Sequence, residues 1–238
     1  MKKRICIVIP TYNEAGNMET LLESLESTFT EIPHDMNIVV VDDFSPDGTA
    51  LIVEGLCRKF GNITLMSGPR KGMGAAYIRA FSAVLSSCDI IITMDADLSH
   101  PPSMIPQFLK KIDSGCDMVI GSRYIPGGET VNWPLKRRLT SVLANCMVRY
   151  VAGISSVRDC TSNYRAIKTS HLGSIPFSRF DAGYAIVTTI LWTVYHTGHI
   201  CEIPLLFHDR KQGRTKLRIK DLLFFFLNCF RLRFLSFF

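Results

Sequence analysis

The feature that most constrains this chain is a regular alternation of short Val- and Ile-rich runs with longer amphipathic runs. The strand-like runs are RICIVIP, MNIVVVDD, NITLMS, DIIITMDAD and DMVIGS, and a helix-like run separates each from the next. Strands that are apolar along most of their length are typical of parallel sheets covered by helices on both faces. The sequence therefore predicts an α/β fold with a mostly parallel central sheet flanked by helices.

Polar residues follow three of these predicted strands at the point where each strand ends. Right-handed crossovers bring the three strand ends to one edge of the sheet, which is where ligands of such sheets bind. We therefore expect a pocket there. The residues are Tyr12, Asn13 and Glu14 after the first strand, Asp42 and Asp43 after the second, and Asp95 and Asp97 after the fourth.

The run MDADLSHPP has two readings when it is taken alone. Asp95 and Asp97 can hold a hard divalent cation together with ligand phosphate oxygens, or they can be a helix N-cap and a loop aspartate. The second acidic strand end, VVVDDFSPDGT, favours the first reading, because converging carboxylates repel one another unless a cation or hydrogen-bond donors lie among them. Together the two runs predict a site for a nucleotide diphosphate and a metal.

The run RKGMGAAYIRAF resembles a glycine-rich phosphate loop that enters a helix, but Tyr77 stands where a dinucleotide fingerprint has its third glycine. Close approach of helix and sheet at Gly72 and Gly74 explains these glycines equally well. The six histidines form no cluster, and no Ser/His/Asp arrangement or nucleophile elbow is present. Covalent catalysis therefore has no visible nucleophile.

Three groups of cationic or hydroxyl residues lie beyond the acidic strand ends. Arg123 follows the fifth predicted strand, and Arg137 and Ser141 are four residues apart on a predicted helix, so that both can bind one phosphate. The alternative for that helix is a solvated basic face. Arg210 and Lys216 lie in the glycine-containing run FHDRKQGRTKL, which we interpret as a lid that neutralises diphosphate charge.

The net charge of +6 is located almost entirely in the tail. Residues 210–238 hold eight Lys or Arg and one Asp, together with seven of the fifteen Phe. Basic residues among so many aromatic ones indicate an anionic membrane surface and no nucleic-acid partner. We expect an amphipathic helix in the membrane interface; the alternatives are a core helix or a chain that stops inside its first membrane segment.

The N-terminal run MKKRI has no features of a secretory signal, so we expect the body of the protein in the cytosol. The eight cysteines are spread singly, without metal or redox spacing, and are predicted to be buried free thiols. We expect a catalytic domain over residues 1–220, with a nucleotide-sugar half at 1–125 and an acceptor half at 126–220, and a membrane-associating tail at 221–238.

Five blocks of the sequence, in order, resemble the family 2 glycosyltransferases of GT-A fold. They are PTYNE, VVDDFSPDGT, MDADLSHPP, GSRYIPGG with NWPLKRRLTS, and FHDRKQGRTKL. The resemblance covers about nine tenths of the chain and implies transfer of mannose from GDP-mannose to dolichyl or another polyprenyl phosphate. The run CTSNYRA departs from the T-G-x-F-R of that family.

The resemblance also implies roles for individual residues. The guanosine would lie against Pro10, Tyr12, Glu14, Val41 and Asp43, and the diphosphate against Asp95 and Ala96. Asp97 would bind Mg²⁺ or Mn²⁺ with Ser99, where many relatives carry Gln. The lipid phosphate would be received by Arg123, Arg137 and Ser141, and Arg210 and Lys216 would close over the donor.

The implied reaction is a single inverting displacement in which the acceptor phosphate attacks the sugar without a general base, since a phosphate monoester is already anionic at neutral pH. A rival within the enzyme class is transfer of glucose or another sugar from a UDP-sugar to the same lipid. A rival outside it is a silent sugar-nucleotide sensor or scaffold. Nucleotidyl transfer is disfavoured, because no basic glycine-rich loop follows the first strand.

The implied location is a membrane surface with the catalytic part facing the cytosol. That surface would be the endoplasmic reticulum membrane in a eukaryote and the inner membrane in a prokaryote. Small membrane-anchoring subunits are further implied partners.

Overall fold

A computed structural model describes residues 1–173, 175, 185–209 and 219–234. The described ranges contain nine strands and seven α-helices, which alternate except where β6 follows β5 and β9 follows β8. The strands are β1 (Arg4–Thr11), β2 (Asp35–Asp42), β3 (Ile63–Ser67), β4 (Ile90–Thr93), β5 (Met118–Ser122), β6 (Glu129–Val131), β7 (Arg165–Lys168), β8 (Ile200–Pro204) and β9 (Leu206–His208). The helices are α1 (Ala15–Phe29), α2 (Thr49–Lys59), α3 (Met73–Val84), α4 (Ile105–Asp113), α5 (Leu135–Tyr150), α6 (Ala185–Thr197) and α7 (Ile219–Phe234).

Seven strands form one mixed sheet in the order β3-β2-β1-β4-β7-β5-β8. All neighbours are parallel except β7, which is antiparallel to both β4 and β5. Strands β1, β2, β4 and β5 consequently run in the same direction, and their carboxyl ends meet at one edge. The predicted mostly parallel sheet and the shared edge are both confirmed.

Alternating side chains of each central strand enter two different cores, one on each face of the sheet. In β1, Ile5, Ile7 and Ile9 pack with residues of α1, α2 and α4, whereas Cys6 and Val8 pack with residues of α3 and α6. Because both faces of these strands are buried, they carry β-branched residues at nearly every position. This rigid double-sided core fixes the loops at the sheet edge.

Several elements differ from the sequence expectation. The acidic end of DIIITMDAD lies outside β4, which ends at Thr93. The run ICEIPLLFHDR, which the sequence predicts as one strand, divides into β8 and β9 at Leu205. Strand β7 lies inside RDCTSNYRAIK, for which no strand is predicted. It is only four residues long and enters the sheet against the direction of its neighbours, so its sequence lacks the long apolar run that marks the other strands.

The prediction of free thiols is wrong for two of the eight cysteines. Cys116, just before β5, forms a disulfide with Cys201 in β8. The two are 85 residues apart in sequence, but β5 and β8 are neighbouring strands, a proximity that residue spacing cannot reveal. The other six are free, and Cys57 and Cys146 among them are only partly buried.

Helix α7 contacts α6 and α5, with Cys229 fully buried and Phe224, Leu227 and Phe230 about half exposed. The helix is therefore amphipathic, as expected for the tail. Within the described ranges, no helix has the length and apolar character needed to cross a bilayer.

Candidate active site

The first wall of the candidate site is the corner between β1 and α1. Pro10 lies in β1 opposite Val41 of β2, and the Tyr12 ring lies under the guanidinium of Arg70, 3.7 Å from Cζ to the ring centroid. The Glu14 backbone N–H donates to the Thr49 hydroxyl at 3.1 Å. The corner thus presents a cation-covered aromatic ring beside a carboxylate.

The second wall is the end of β2, where Asp43 is 6% exposed. Arg79 of α3 approaches it, with 3.6 Å between Nη1 and Oδ1, yet neither atom has a hydrogen-bond partner among the described residues. Burial raises the pKa of Asp43 in spite of the nearby Arg79. Asp42, by contrast, turns away to accept hydrogen bonds from the backbone and hydroxyl of Ser45.

Val41 and Ala96, which the family resemblance places at the nucleotide, have buried side chains. Val41 is fully buried and Ala96 is 4% exposed, and both belong to the cores beneath the site. Their contribution to a ligand is therefore limited mainly to backbone atoms and to the shape of the pocket floor.

Each of the three strand-end loops contains one non-glycine residue in the left-handed region. These residues are Asn13 (φ 58°), Phe44 (φ 50°) and Leu98 (φ 63°). Such a conformation costs of order 1–3 kcal/mol per residue and is concentrated at functional sites. Phe44 and Leu98 are exposed, so core packing does not hold them in this conformation.

The loop after β4 is organised around two carboxylates. Asn163 Nδ2 donates to Asp95 Oδ1 at 2.8 Å, and the Asp95 backbone N–H donates to Nδ1 of the buried His100 at 2.9 Å. Burial lowers the pKa of His100, which favours the neutral ring that can accept this bond. Both the hydroxyl and the backbone N–H of Ser99 donate to Asp97 Oδ1.

The donor chemistry of this loop fits a hard divalent cation. Asp95 and Asp97 supply carboxylate oxygens at a partly exposed position, and Mg²⁺ is usually bound by one or two carboxylates plus substrate phosphates. Ser99 is 1% exposed and its hydroxyl points at Asp97, so in this structure it orients that carboxylate. A separate cluster of Cys116, His199 and Cys201 lies at the opposite edge of the sheet, with its two sulfurs joined.

At the end of β5, Arg123 forms a buried ion pair that the sequence does not predict. Its Nε and Nη2 donate to the two carboxylate oxygens of Asp159, each at 2.8 Å, and the two side chains are 8% and 0% exposed. Burial alone would disfavour both charges, but their mutual attraction raises the pKa of Arg123 and lowers that of Asp159. Nη2 also donates to the Thr161 hydroxyl at 2.9 Å.

Trp133 connects the two predicted phosphate-binding arginines. The Cζ atoms of Arg123 and Arg137 lie 4.9 Å and 5.5 Å from its ring centroids, within the range of cation–π attraction. Arg137 also pairs with Asp209. Both cations are thus held in place by an aromatic ring and a carboxylate each.

Ser141 is bonded to protein groups on the inner face of α5. Its Oγ accepts from the Tyr124 hydroxyl at 2.9 Å and lies 3.2 Å from Thr161 Oγ1. Arg137 and Ser141 consequently share a helix, as predicted, but they contact different partners. Arg210 and Lys216, the predicted lid residues, lie outside the described residues.

Several residues at this edge escape sequence reasoning. Their signals are weak: Asp159 and Asn163 lie in the run RDCTSNYRAIK, Arg79 in the glycine-rich run, and Trp133 in the block NWPLKRRLTS, in which only Arg137 and Ser141 are given a role. Only the fold brings them to the carboxylates and arginines, because their sequence separations from these partners reach 68 residues.

Known proteins resemble this chain in sequence and in fold. A family model for Glycosyl transferase family 2 matches residues 6–175. The chain is 34% identical over 220 residues to the polyprenol monophosphomannose synthase of Mycolicibacterium smegmatis, which covers 90% of this chain and 81% of that protein. It is 33% identical over 218 residues to the undecaprenyl-phosphate mannosyltransferase of Micrococcus luteus, with 90% and 87% covered.

A longer relative is the dolichol-phosphate mannosyltransferase of Pyrococcus furiosus, 33% identical over 231 residues. The match covers 96% of this chain but only 63% of that protein, so this chain spans less than two thirds of its length.

Among solved structures, glucosyl-3-phosphoglycerate synthase of Mycobacterium tuberculosis, with Mn²⁺, uridine diphosphate and glucosyl-3-phosphoglycerate bound, superposes with a TM-score of 0.69 at 19% identity. The superposition covers 97% of this chain and 80% of that one. A further structure of that synthase contains Mg²⁺ and uridine diphosphate. At this level of identity the likeness shows the fold, which is the GT-A α/β fold.

Proposed function

Because the chain belongs to glycosyl transferase family 2, we propose that it transfers mannose from GDP-mannose to dolichyl phosphate or a related polyprenyl phosphate. The observation that carries the proposal is the meeting of two opposite kinds of group at one sheet edge. Asp95 and Asp97 supply anionic oxygen ligands, and Arg123 supplies a rigidly held cation. Mannosyltransferases that act on lipid phosphates, at 33–34% identity, support the choice of sugar and acceptor.

The donor is assigned to the corner of β1 and β2 and the loop after β4. The guanosine is proposed to lie against Pro10, Tyr12, Glu14, Val41 and Asp43, with the diphosphate beside Asp95 and Ala96. A Mg²⁺ or Mn²⁺ ion held by Asp97, with Ser99 next to it, would offset the charge that develops on the departing GDP. Arg210 and Lys216 are proposed to neutralise the same diphosphate.

The acceptor phosphate is assigned to Arg123, Arg137 and Ser141. In the described contacts, Arg123 binds protein through its backbone N–H, Nε and Nη2, so a phosphate would be bound through Nη1. The acceptor phosphate and the donor diphosphate are both anions and must come close together for the reaction. Arginines held in fixed positions offset the repulsion between them. A phosphate monoester is already anionic at neutral pH and can attack the anomeric carbon without a general base, and the single displacement inverts that carbon.

The lipid-facing surface is proposed to comprise the outer faces of α5 and α7. Leu135, Leu139 and Leu143 repeat every four residues on α5 and are at least 60% exposed, while the inner face of the same helix holds Ser141. The rings of Phe226, Phe230 and Phe234 repeat in the same way on α7. Because α5 and α7 are in contact, the two stripes lie on neighbouring helices.

Basic residues accompany this apolar surface and fit anionic lipid headgroups. Lys136, Arg138 and Arg149 belong to α5, and Arg231 and Arg233 to the last turn of α7. We assign the protein to the cytosolic side of a membrane, with residues 1–220 as the catalytic domain and residues 221–238 as the associating tail. Within the catalytic domain, residues 1–125 are assigned to the donor and residues 126–220 to the acceptor.

The product identifies the reaction. Purified protein is incubated with GDP-mannose, Mn²⁺ and dolichyl phosphate in detergent, and the anomeric configuration of the lipid product is determined by NMR. The proposal predicts a β-mannosyl phosphate and no product with dolichol, which lacks the phosphate. An α-linked product would contradict the single displacement, and mannosylated dolichol would contradict the assigned acceptor.

A further inference from the structure

Residues 159–163, here called the bridging segment, contact both sides of the candidate site. At one end Asp159 pairs with Arg123, on the acceptor side. At the other end the side-chain amide of Asn163 donates to Asp95 Oδ1 at 2.8 Å, on the donor side. The bridging segment overlaps the run CTSNYRA, which departs from the T-G-x-F-R of the family, and the proposed chemistry gives Asn163 no role.

The bridging segment is fixed by buried polar groups. The guanidinium of Arg165, which is 1% exposed, donates to the backbone carbonyls of Ser162 and Cys160, each at 2.7 Å. The Cys160 N–H donates to Asn145 Oδ1 at 2.6 Å, and the Asp159 N–H to Glu202 Oε1 at 2.9 Å. Because its backbone is tied to α5 and β8 in this way, the segment cannot follow a movement of either site loop without breaking these bonds.

The side chain of Asn163 is equally constrained. Its backbone carbonyl accepts from the Thr93 hydroxyl at 2.7 Å, and its Nδ2 donates both to the Tyr77 hydroxyl oxygen and to Asp95. An amide nitrogen carries two hydrogens, so both are used. Tyr77 is a fully buried residue of α3, so the second hydrogen of the amide bonds to the protein core and the first to Asp95.

We propose that Asn163 is a positioning residue for the donor side of the site. It holds one oxygen of the Asp95 carboxylate and thereby fixes the direction in which the other oxygen faces the metal and diphosphate. Through the bridging segment, the same contact sets the spacing between Asp95 and the acceptor-binding Arg123. This inference rests on the proposed function, because it requires the donor to bind at Asp95.

Variants of Asn163 and a control at Tyr77 separate positioning from folding. Asn163→Leu has nearly the same shape but no donor, and Asn163→Ala serves if the leucine variant does not fold. Tyr77→Phe is the matched control, because it removes the other partner of the same amide and leaves Asp95 bonded. Thermal unfolding of each variant identifies the ones that are folded at the assay temperature.

The decisive readout is binding of GDP by calorimetry in the presence of Mn²⁺ and in the absence of lipid. Hydrogen bonds to charged groups correspond to roughly 10- to 100-fold in an equilibrium constant. We expect Asn163→Leu or Asn163→Ala to weaken GDP binding by about tenfold or more and to raise the Mn²⁺ concentration that gives half-maximal binding. The dissociation constant of GDP from Tyr77→Phe should stay within about threefold of that of the original protein, since the contact of Asn163 with Asp95 remains.

Steady-state kinetics supply a second readout. The KM for GDP-mannose should rise in the Asn163 variants while the KM for the lipid phosphate is unchanged. An equal rise in the KM for GDP-mannose and in the KM for the lipid phosphate would overturn the positioning role. Asn163 variants that bind GDP as tightly as the original protein does would overturn it as well. If the original protein itself does not bind GDP with Mn²⁺, the assigned donor site is wrong, and this inference fails with it.

Discussion

Arg123 and Asp159 form a two-point ion pair in which each carboxylate oxygen accepts one guanidinium N–H at 2.8 Å. The backbone N–H groups of Arg123 and Ser162 donate to the same carboxylate, each at 3.0 Å. The pair thus forms a compact unit at the end of β5, and it presents a cation to the site edge without exposing an uncompensated charge to the core.

Asp159→Asn should destabilise the protein strongly. The substitution leaves Arg123 buried without its counter-charge, and breaking one side of a buried pair costs about 3–5 kcal/mol. Urea unfolding should show this loss in the free energy of unfolding. Glu23→Gln, which breaks the exposed pair with Lys59, is the control and should change that free energy by about 1 kcal/mol or less. Equal effects of the two substitutions would contradict the burial argument.

The same carboxylate predicts how stability depends on pH. The pKa of Asp159 is lowered in the folded state, whereas an unfolded aspartate titrates near pH 3.9. As the pH falls, the carboxylate of Asp159 is therefore protonated in the unfolded chain before it is protonated in the folded protein. The contribution of Asp159 to the free energy of unfolding is complete above about pH 4 and is lost below it. Urea unfolding from pH 6 to pH 3 should show a steeper decline for the original protein than for Asp159→Asn. If the free energies of unfolding of the two proteins decline in parallel as the pH falls, Asp159 does not cause this pH dependence.

Asp97→Asn should remove transfer activity while the fold remains intact. Asp97 is partly exposed, so stability depends little on its charge, but an amide is a poor metal ligand. Loss of one such contact corresponds to roughly 3 kcal/mol of barrier, or at least about a hundredfold in rate. Initial rates and thermal unfolding should be measured together, with Asp113→Asn in the exposed end of α4 as control. A folded Asp97→Asn protein with near-normal activity would refute the metal assignment.

The Cys116–Cys201 disulfide should be visible in a thiol count. Unfolded protein that has not been reduced should give six free thiols and fully reduced protein eight. Cys201→Ser should lower the free energy of unfolding by about 2–4 kcal/mol, because the disulfide closes a long loop. Cys57→Ser, at a free and partly buried thiol, is the control. Eight titratable thiols before reduction would show that the bond is absent.

Membrane association should depend on the outer stripe of α5. Leu139 is 60% exposed, and Leu139→Asp places a negative charge on the proposed lipid-facing surface. We expect this variant to lose at least about tenfold in binding to phosphatidylserine-containing vesicles, because it removes apolar burial and adds repulsion from anionic lipid. Leu51→Asp on α2, where the leucine is 72% exposed, should bind as the original protein does. Equal binding of both variants would show that α5 does not face the membrane.

The sequence predicts those parts of the fold that depend on the local pattern of apolar and polar residues. Continuous apolar strands predicted β1, β2, β4 and β5, and handed crossovers predicted that Tyr12, Asp43 and Asp95 would meet at one edge. These features are visible in sequence because each depends on a short run of the chain. Strand β7 was missed because it is short and antiparallel, and its place between β4 and β5 is decided by tertiary pairing.

The partners of the site residues could not be predicted for a related reason. Arg123 was recognised from its position after a strand, but Asp159 lies 36 residues away and meets it only in the folded protein. The spacing of Arg137 and Ser141 correctly placed them on one helix, yet their partners Asp209, Tyr124 and Thr161 come from other elements. Local spacing thus predicts which side chains share a face, and long-range packing determines what they bind.

The most direct test of the central claim is the transfer of radiolabelled sugar to dolichyl phosphate from three donors, tested separately, in detergent with Mn²⁺. The donors are GDP-mannose, UDP-glucose and UDP-N-acetylglucosamine, each with and without EDTA. The account predicts lipid label from GDP-mannose alone and its loss with EDTA. Label from a UDP-sugar would contradict the assigned donor, and folded protein that gives no label from any donor would contradict the assigned activity.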